Sequence, residues 1–116
     1  MIVLILNLLG QDLAYKLIKD IIDKFENLDS NHDDPKIQFT LGKIYNEGIY
    51  VYRDFKEACR YLSLAANQNS VDAQLALADI FFDDFDKSNQ YYLMAANQNN
   101  SDAQYILGAR YYEESS

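Results

Sequence analysis

A histidine and a cysteine are the first residues to test for nucleophilic catalysis. His32 lies in the polar stretch Asn31–Asp34, and Cys59 lies in an apolar stretch of helical character. A nucleophile and its base must lie within hydrogen-bond reach, and no local signature links these two positions. A metal site would need further His or Cys residues at ligand spacing. We therefore expect a solvated loop histidine, a small buried cysteine, and no catalytic residue, metal or cofactor.

The acidic run Asp83-Asp84-Phe85-Asp86 has the composition of a calcium-binding loop. An EF-hand loop numbered from Asp84 requires glycine at its sixth position and a bidentate glutamate at its twelfth. This chain has Asn89 and Ala95 at those positions. The run is better explained as the N-cap and the first-turn acids of a helix that follows it.

The composition is that of one globular domain with an acidic surface. The 116 residues are 49% hydrophobic, and 18 Asp and Glu against 10 Lys and Arg give a net charge of −8. Nucleic-acid binding depends on clustered Lys and Arg, so we exclude nucleic acid as a partner. The single cysteine allows no intrachain disulfide.

Met1–Leu9 is apolar but too short to cross a bilayer, and it lacks the basic start of a signal peptide. We expect a cytoplasmic protein without a membrane partner, in which Met1–Leu9 forms a buried helix or strand.

An internal repeat is the strongest pattern in the chain. The pentapeptide Ala65–Asn69 recurs letter for letter at Ala95–Asn99, and Asp-Ala-Gln follows each copy at Asp72–Gln74 and Asp102–Gln104. Repeats at this spacing are typical of stacked supersecondary units, that is, of a solenoid. The second copy lacks the equivalent of Glu47–Tyr52, which we assign to a loop because loops tolerate deletions.

Helical periodicity and capping residues predict the elements of these units. The first helix begins near Asp12, and a polar turn at 27–34 follows it. Its apolar stripe consists of Leu13, Leu17, Ile18, Ile21, Ile22, Phe25 and Leu28. Asp34 and Pro35 open the next helix, which ends at Gly48. Later helices are predicted to begin at Asp54, at Ser70 or Asp72, near Asp84, and before Ala103.

Two consecutive motifs resemble a known repeat family. They are Leu41-Gly42-x-x-Tyr45-x-x-Gly48 and Asp54-x-x-Glu57-Ala58-x-x-Tyr61-x-x-x-Ala65-Ala66, and together they resemble the Sel-one-like repeat, which is akin to the tetratricopeptide repeat. The resemblance implies an all-α fold, a right-handed α/α solenoid of antiparallel helix pairs. It implies an N-terminal helical cap at 1–34, a repeat at 35–69, a shortened repeat at 70–99, and the first helix of a partial third repeat at 100–116. It also implies a non-enzymatic protein-interaction scaffold or adaptor.

The repeats depart from the family pattern at a few positions. Ser88 replaces the expected alanine, and Asn69 and Asn99 replace the usual glycine after a second helix. Asparagine tolerates the left-handed conformation at a helix end, so we expect those two changes to be neutral. Small residues at equivalent positions are expected to let helices approach closely, with an aromatic residue beside each one. These pairs are Gly42 with Tyr45, Ala78 with Phe81, and Gly108 with Tyr111.

The first helix of each pair is the predicted binding surface. In tetratricopeptide-like stacks these helices line the concave side, so the resemblance places a partner protein or peptide next to their core stripe. The residues of this predicted groove are Phe39, Lys43, Asn46, Leu75, Asp79, Phe82, Tyr105 and Tyr112, with Ala109 at the ninth equivalent position. The acidic charge, with Asp72, Asp79, Asp83 and Asp102 on or near the groove, predicts a partner with basic residues. The alternative is that the aromatic residues are core and the others solvated surface.

Other functions stay open at this point. The chain could be a self-assembling structural protein or a fragment of a larger Sel-one-like repeat protein, and a hydrolase is a distant third. Tyr105, Ile106, Tyr111 and Tyr112 give the last helix an apolar outer face, whereas terminal repeats normally have a polar one. A second copy, the Ile2–Leu9 segment or a longer parent chain would cover this face. We favour a homodimer.

Overall fold

The computed structural model describes residues 10–26, 33–48 and 51–115. Within these ranges all regular secondary structure is α-helical, which confirms the predicted all-α fold. The helices are α1 Gln11–Glu26, α2 Pro35–Glu47, α3 Phe55–Ala66, α4 Val71–Ile80, α5 Phe85–Ala96 and α6 Ser101–Ser115. No helix of the described ranges combines the length and the apolar character needed to cross a membrane.

Some sequence predictions fall outside the described residues. They concern Met1–Leu9 as a buried helix or strand, the polar turn at 27–32 with its solvated His32, and residues 49–50 of the loop after α2.

Side-chain caps start the helices where the sequence predicted them. In each case a side-chain oxygen accepts a hydrogen bond of 2.9 to 3.2 Å from a backbone N–H two or three residues later. The five caps are Asp34, Asp54, Ser70, Asp84 and Asn100. Such caps satisfy N–H groups that have no partner inside the helix. Ser70, rather than Asp72, is therefore the residue that opens α4.

The end of α2 and the two repeated turns use left-handed backbone. Gly48 has φ 66° and its N–H donates to the carbonyl of Ile44. Asn69 and Asn99 have φ values of 68° and 67°, as expected for asparagines in place of glycine. The repeated pentapeptide thus forms the same turn twice.

Glutamine side chains explain why each repeated motif ends in Asp-Ala-Gln. The Nε2 groups of Gln74 and Gln104 donate to the carbonyls of Ala66 and Ala96, each at 3.1 Å. Gln98 Nε2 also donates to Gln74 Oε1 at 2.9 Å. A backbone carbonyl at a helix end needs a hydrogen-bond partner. The repeated glutamine supplies it from the next helix, and so joins each helix pair to the helix that follows it.

The described residues divide into two compact units, one up to Tyr61 and one from Leu62 onward. The rings of Tyr45 and Tyr61 stack in the first unit, with centroids 6.1 Å apart. The core of that unit contains Ile22, Leu41, Tyr45, Val51, Ala58 and Tyr61. In the second unit α4 packs against α5 and α5 against α6. A core cluster there contains Ala78, Tyr92, Ala95, Ala103 and Leu107.

Two predictions of burial were wrong in part. Leu13 and Leu17 of the α1 stripe are exposed, whereas Ile22 is buried. With 3.6 residues per turn, Leu13 and Ile22 lie about 180° apart on the helix, so one packing surface cannot cover both. Cys59 is only partly buried, because it lies one residue beyond Ala58 and therefore at the edge of the buried face of α3. The side chains of Ile18, Ile21 and Phe25, and residue 28, lie outside what the structure describes.

Candidate protein-interaction surface

Three residues of the predicted groove lie on α2 in the first unit. Phe39 and Asn46 are partly buried and Lys43 is exposed. Lys43 Nζ lies 4.0 Å from Glu47 Oε1, and an exposed pair of this kind contributes little to stability. Asn46 Oδ1 is buried, and no hydrogen-bond donor among the described residues reaches it.

The other five groove residues belong to the second unit. Leu75 and Asp79 lie on α4, Phe82 lies in the turn after it, and Tyr105 and Tyr112 lie on α6. Phe82 is 60% exposed, Tyr105 78% and Tyr112 76%. These three aromatic side chains are therefore surface residues, and the alternative that they form core does not hold for them.

A cleft of about 350 Å³ opens between α4, α5 and α6; we name it the α4–α6 cleft. Its lining residues are Leu75, Asp79, Tyr92, Asp102, Tyr105 and Ile106. Leu75, Asp79 and Tyr105 were predicted as groove residues, and Asp102 was placed on or near the groove. Phe82 and Tyr112 are not among the lining residues.

Sequence reasoning did not assign Tyr92 and Ile106 to a binding surface. Tyr92 lies on α5, the second helix of its pair. Nothing local in the sequence shows that its hydroxyl reaches α4. Ile106 was identified as an apolar residue on the outer face of the last helix, and its position next to Tyr105 was the available signal.

A hydrogen bond fixes the position of the Asp79 carboxylate in the cleft. Tyr92 Oη–H donates to Asp79 Oδ1 at 2.7 Å. Burial raises the pKa of Tyr92 to about 12, and the hydrogen bond to Asp79 and its negative charge act in the same direction. Tyr92 is therefore a neutral donor at neutral pH, and it orients the Asp79 carboxylate.

Arg110 ties α6 to α5 on another side of Tyr92. Its guanidinium carbon lies 5.0 Å from the Tyr92 ring centroid and 4.8 Å from that of Phe85. Its Nη1 donates to Ser88 Oγ, at 3.0 Å, and to Asn89 Oδ1. Ser88 Oγ–H donates to the carbonyl of Ala78 at 2.9 Å. The serine that departs from the family pattern is thus a buried link between α4 and Arg110.

The chemistry of the α4–α6 cleft is that of binding. It offers two carboxylates, two phenol rings and two aliphatic side chains, and none of these is an activated nucleophile. Among the described residues no group of three or more His, Cys, Asp or Glu side chains could hold a metal ion. An aromatic face beside carboxylates is suited to a cation that carries an apolar stem.

Comparison with known proteins identifies a family and a similar solved structure. A family model of the Sel1 repeat matches residues 36–70, 71–100 and 101–116. The fold is similar to the crystal structure of a Sel1 repeat protein from Oxalobacter formigenes, with a TM-score of 0.65 and 20% sequence identity over 85% of this chain and 44% of that chain. This chain therefore spans less than half of that protein, and the likeness shows the fold alone. No curated protein matches the chain.

Proposed function

Because this chain belongs to the Sel1 repeat family, we propose that it is a non-enzymatic adaptor that binds a segment of a partner protein on the first helices of its second unit, α4 and α6. Sel1 repeats are in general protein–protein interaction modules, and their family is a non-catalytic scaffold type. The observation that carries the proposal is the α4–α6 cleft, together with the exposed aromatic side chains of Tyr105 and Tyr112 on α6. Exposed aromatic residues give large contact area at low entropic cost and are enriched at binding hot spots.

The charge of the surface defines the partner. Asp79 and Asp102 line the cleft, and neither is paired with Lys or Arg among the described residues. The chain as a whole carries a net charge of −8. Complementary charge steers association and suppresses wrong partners, so the bound segment carries basic residues.

Affinity capture followed by titration tests this function. The immobilised chain is used to isolate its partner from the source cells, and the purified partner is titrated calorimetrically against the wild type and against Phe82→Ala/Tyr112→Ala. Both side chains are exposed, so the fold is retained and circular dichroism checks this. We expect the double variant to bind about tenfold more weakly.

A matched variant controls for the loss of exposed apolar area elsewhere. Leu64 on α3 and Leu93 on α5 are 40% and 49% exposed, and both lie on second helices. Leu64→Ala/Leu93→Ala is expected to bind the partner like the wild type. If the control loses affinity and Phe82→Ala/Tyr112→Ala does not, the partner binds the second helices and the proposal is wrong.

Self-association is the second candidate function, favoured by the open face of α6. Ala78 of α4 is fully buried, and Phe81 beside it stacks on Tyr91 of α5 with ring centroids 6.2 Å apart. At the equivalent positions of α6, a Cβ on Gly108 would meet nothing within 4 Å, and Tyr111 is 56% exposed. Among the described residues, the position on α6 that corresponds to the buried Ala78 of α4 is thus open, and a second copy of the chain is the occupant that we propose.

A further inference from the structure

The α4–α6 cleft places two carboxylates around an accessible aromatic ring. Asp79 contributes from α4, and Asp102 contributes from the first turn of α6. Tyr105 lies on α6 and is 78% exposed, so the face of its ring is available to a ligand. A cation placed between two carboxylates is attracted by both of them. The arrangement therefore selects a cation with a flat polar group.

The Tyr92 hydroxyl prepares Asp79 for such a ligand. It donates to Oδ1 at 2.7 Å, and no described residue donates a hydrogen bond to the other oxygen, Oδ2. A carboxylate oxygen held in place in this way costs a ligand less conformational entropy than a mobile one. Asp79 is thus an oriented acceptor for one more donor.

The second unit already contains a guanidinium held by similar groups. Arg110 lies over the rings of Phe85 and Tyr92 and donates to two side-chain oxygens, those of Ser88 and Asn89. A planar guanidinium can stack on a ring and donate to two acceptors at once, whereas an ammonium is a compact point charge. The cleft combines a ring and two carboxylates in its lining, which are the groups that the first kind of cation uses.

The repeat pattern makes this charge arrangement specific to one position. At the position equivalent to Asp79, α2 has Lys43 and α6 has Ala109. Lys43 would repel a cation, and Ala109 carries no charge. The chain therefore offers this carboxylate on α4 and on neither of the other first helices.

From these contacts we propose that the α4–α6 cleft binds one arginine side chain of the partner segment. The guanidinium lies between Asp79 and Asp102 and stacks on Tyr105, and its aliphatic stem packs against Leu75 and Ile106. This inference rests on the proposed function, because it names the residue of the partner segment that the α4–α6 cleft binds.

Titration with a small probe tests the cleft without a partner protein. The ¹⁵N-labelled full chain is titrated with Nα-acetyl-arginine methylamide and with its lysine and citrulline counterparts, and amide shifts are followed by NMR. We expect shifts confined to residues of the cleft, with the strongest binding for arginine and the weakest for citrulline, which is neutral and has nearly the same shape. Equal binding of the arginine probe and either counterpart, or shifts located elsewhere, overturns the proposal.

Variants of exposed residues test whether the arginine probe binds in the cleft or elsewhere on the surface. Asp102→Asn/Tyr105→Ala removes one charge and one ring, and we expect it to weaken the arginine probe about tenfold. Leu64→Ala on α3, an exposed residue that does not line the cleft, is the control and is expected to bind the probe like the wild type. An unchanged affinity of the double variant contradicts the proposed site.

The same variants distinguish failure of this inference from failure of the proposed function. If the purified partner binds Asp102→Asn/Tyr105→Ala as tightly as wild type, the arginine site is wrong while the interaction function stands. If no partner binds the wild type, the function is wrong, and the probe titration still decides whether the cleft selects arginine.

Discussion

Individual glutamine side chains account for the repetition that is visible in the sequence. Gln74 is buried and joins Ala66 and Gln98, whereas Gln104 makes the equivalent bond to Ala96 from an exposed position. A hydrogen bond that a buried group loses costs more than one that water can replace. The two glutamines therefore make equivalent hydrogen bonds, but losing the bond is expected to cost more unfolding free energy at Gln74 than at Gln104.

This difference predicts unequal effects of the same substitution. Gln74→Met keeps the length of the side chain but leaves the Ala66 carbonyl and the Gln98 amide without this partner, and we expect the free energy of unfolding to fall by about 2 kcal/mol. Gln104→Met, the matched control, is expected to cost about 0.5 kcal/mol because water reaches the Ala96 carbonyl. Urea denaturation of both variants gives the comparison. Equal losses would show that the buried bond has no special role.

The Tyr92 hydroxyl predicts how stability depends on pH. Its pKa rises from an ordinary value of 10.0 to about 12 in the folded chain. The folded state holds this proton more tightly than the unfolded state does. The stabilisation that the Tyr92 hydroxyl gives the folded state is therefore complete below pH 10 and is lost as the pH rises towards about 12. The wild type should therefore lose unfolding free energy faster than Tyr92→Phe across that interval.

Tyrosinate absorbance provides an independent check on this residue. The difference between the titration curves of the wild type and Tyr92→Phe isolates one phenol among the ten tyrosines. We expect its midpoint near pH 12. A midpoint near the ordinary tyrosine pKa would contradict the buried hydrogen bond to Asp79.

At the scale of the helices, local chemistry fixed most boundaries in advance. Caps and turns depend on neighbours within a few residues, so Asp34, Gly48 and Asp84 could be identified from the sequence. The sequence could not predict which residues of α1 are buried. The apolar stripe covers half the helix surface, and the position of the packing partner decides which edge of the stripe is covered. The cleft was only partly predictable, because the Tyr92–Asp79 contact depends on how α4 and α5 pack.

The repeated turn between helices predicts that two small substitutions at Asn99 have unequal effects on the free energy of unfolding. Asn99 has φ 67°, and alanine in this left-handed conformation costs about 1 kcal/mol. Glycine adopts it freely, so Asn99→Gly is expected to change the unfolding free energy by less than about 0.5 kcal/mol. Asn97, with φ −66°, is the control, and Asn97→Ala should be close to neutral. A stable Asn99→Ala variant would mean that this turn differs in solution.

At the scale of the whole molecule, the open face of α6 predicts self-association. We expect sedimentation equilibrium to give twice the monomer mass at micromolar concentrations, with dissociation on dilution. Tyr111→Asp/Tyr112→Asp places charge on the face and should give a monomer with unchanged helicity. A wild type that stays monomeric shows that no second copy covers this face, whereas a variant that stays dimeric places the contact elsewhere.

The central claim is that a partner segment with basic residues binds the first helices. The most direct measurement is an NMR titration of the ¹⁵N-labelled chain with the purified partner, in which amide shifts are mapped onto the six described helices. We expect the largest shifts on α4 and α6 around the α4–α6 cleft, and an affinity that falls as salt is added. Shifts concentrated on α3 and α5, or an affinity that does not respond to salt, would contradict it.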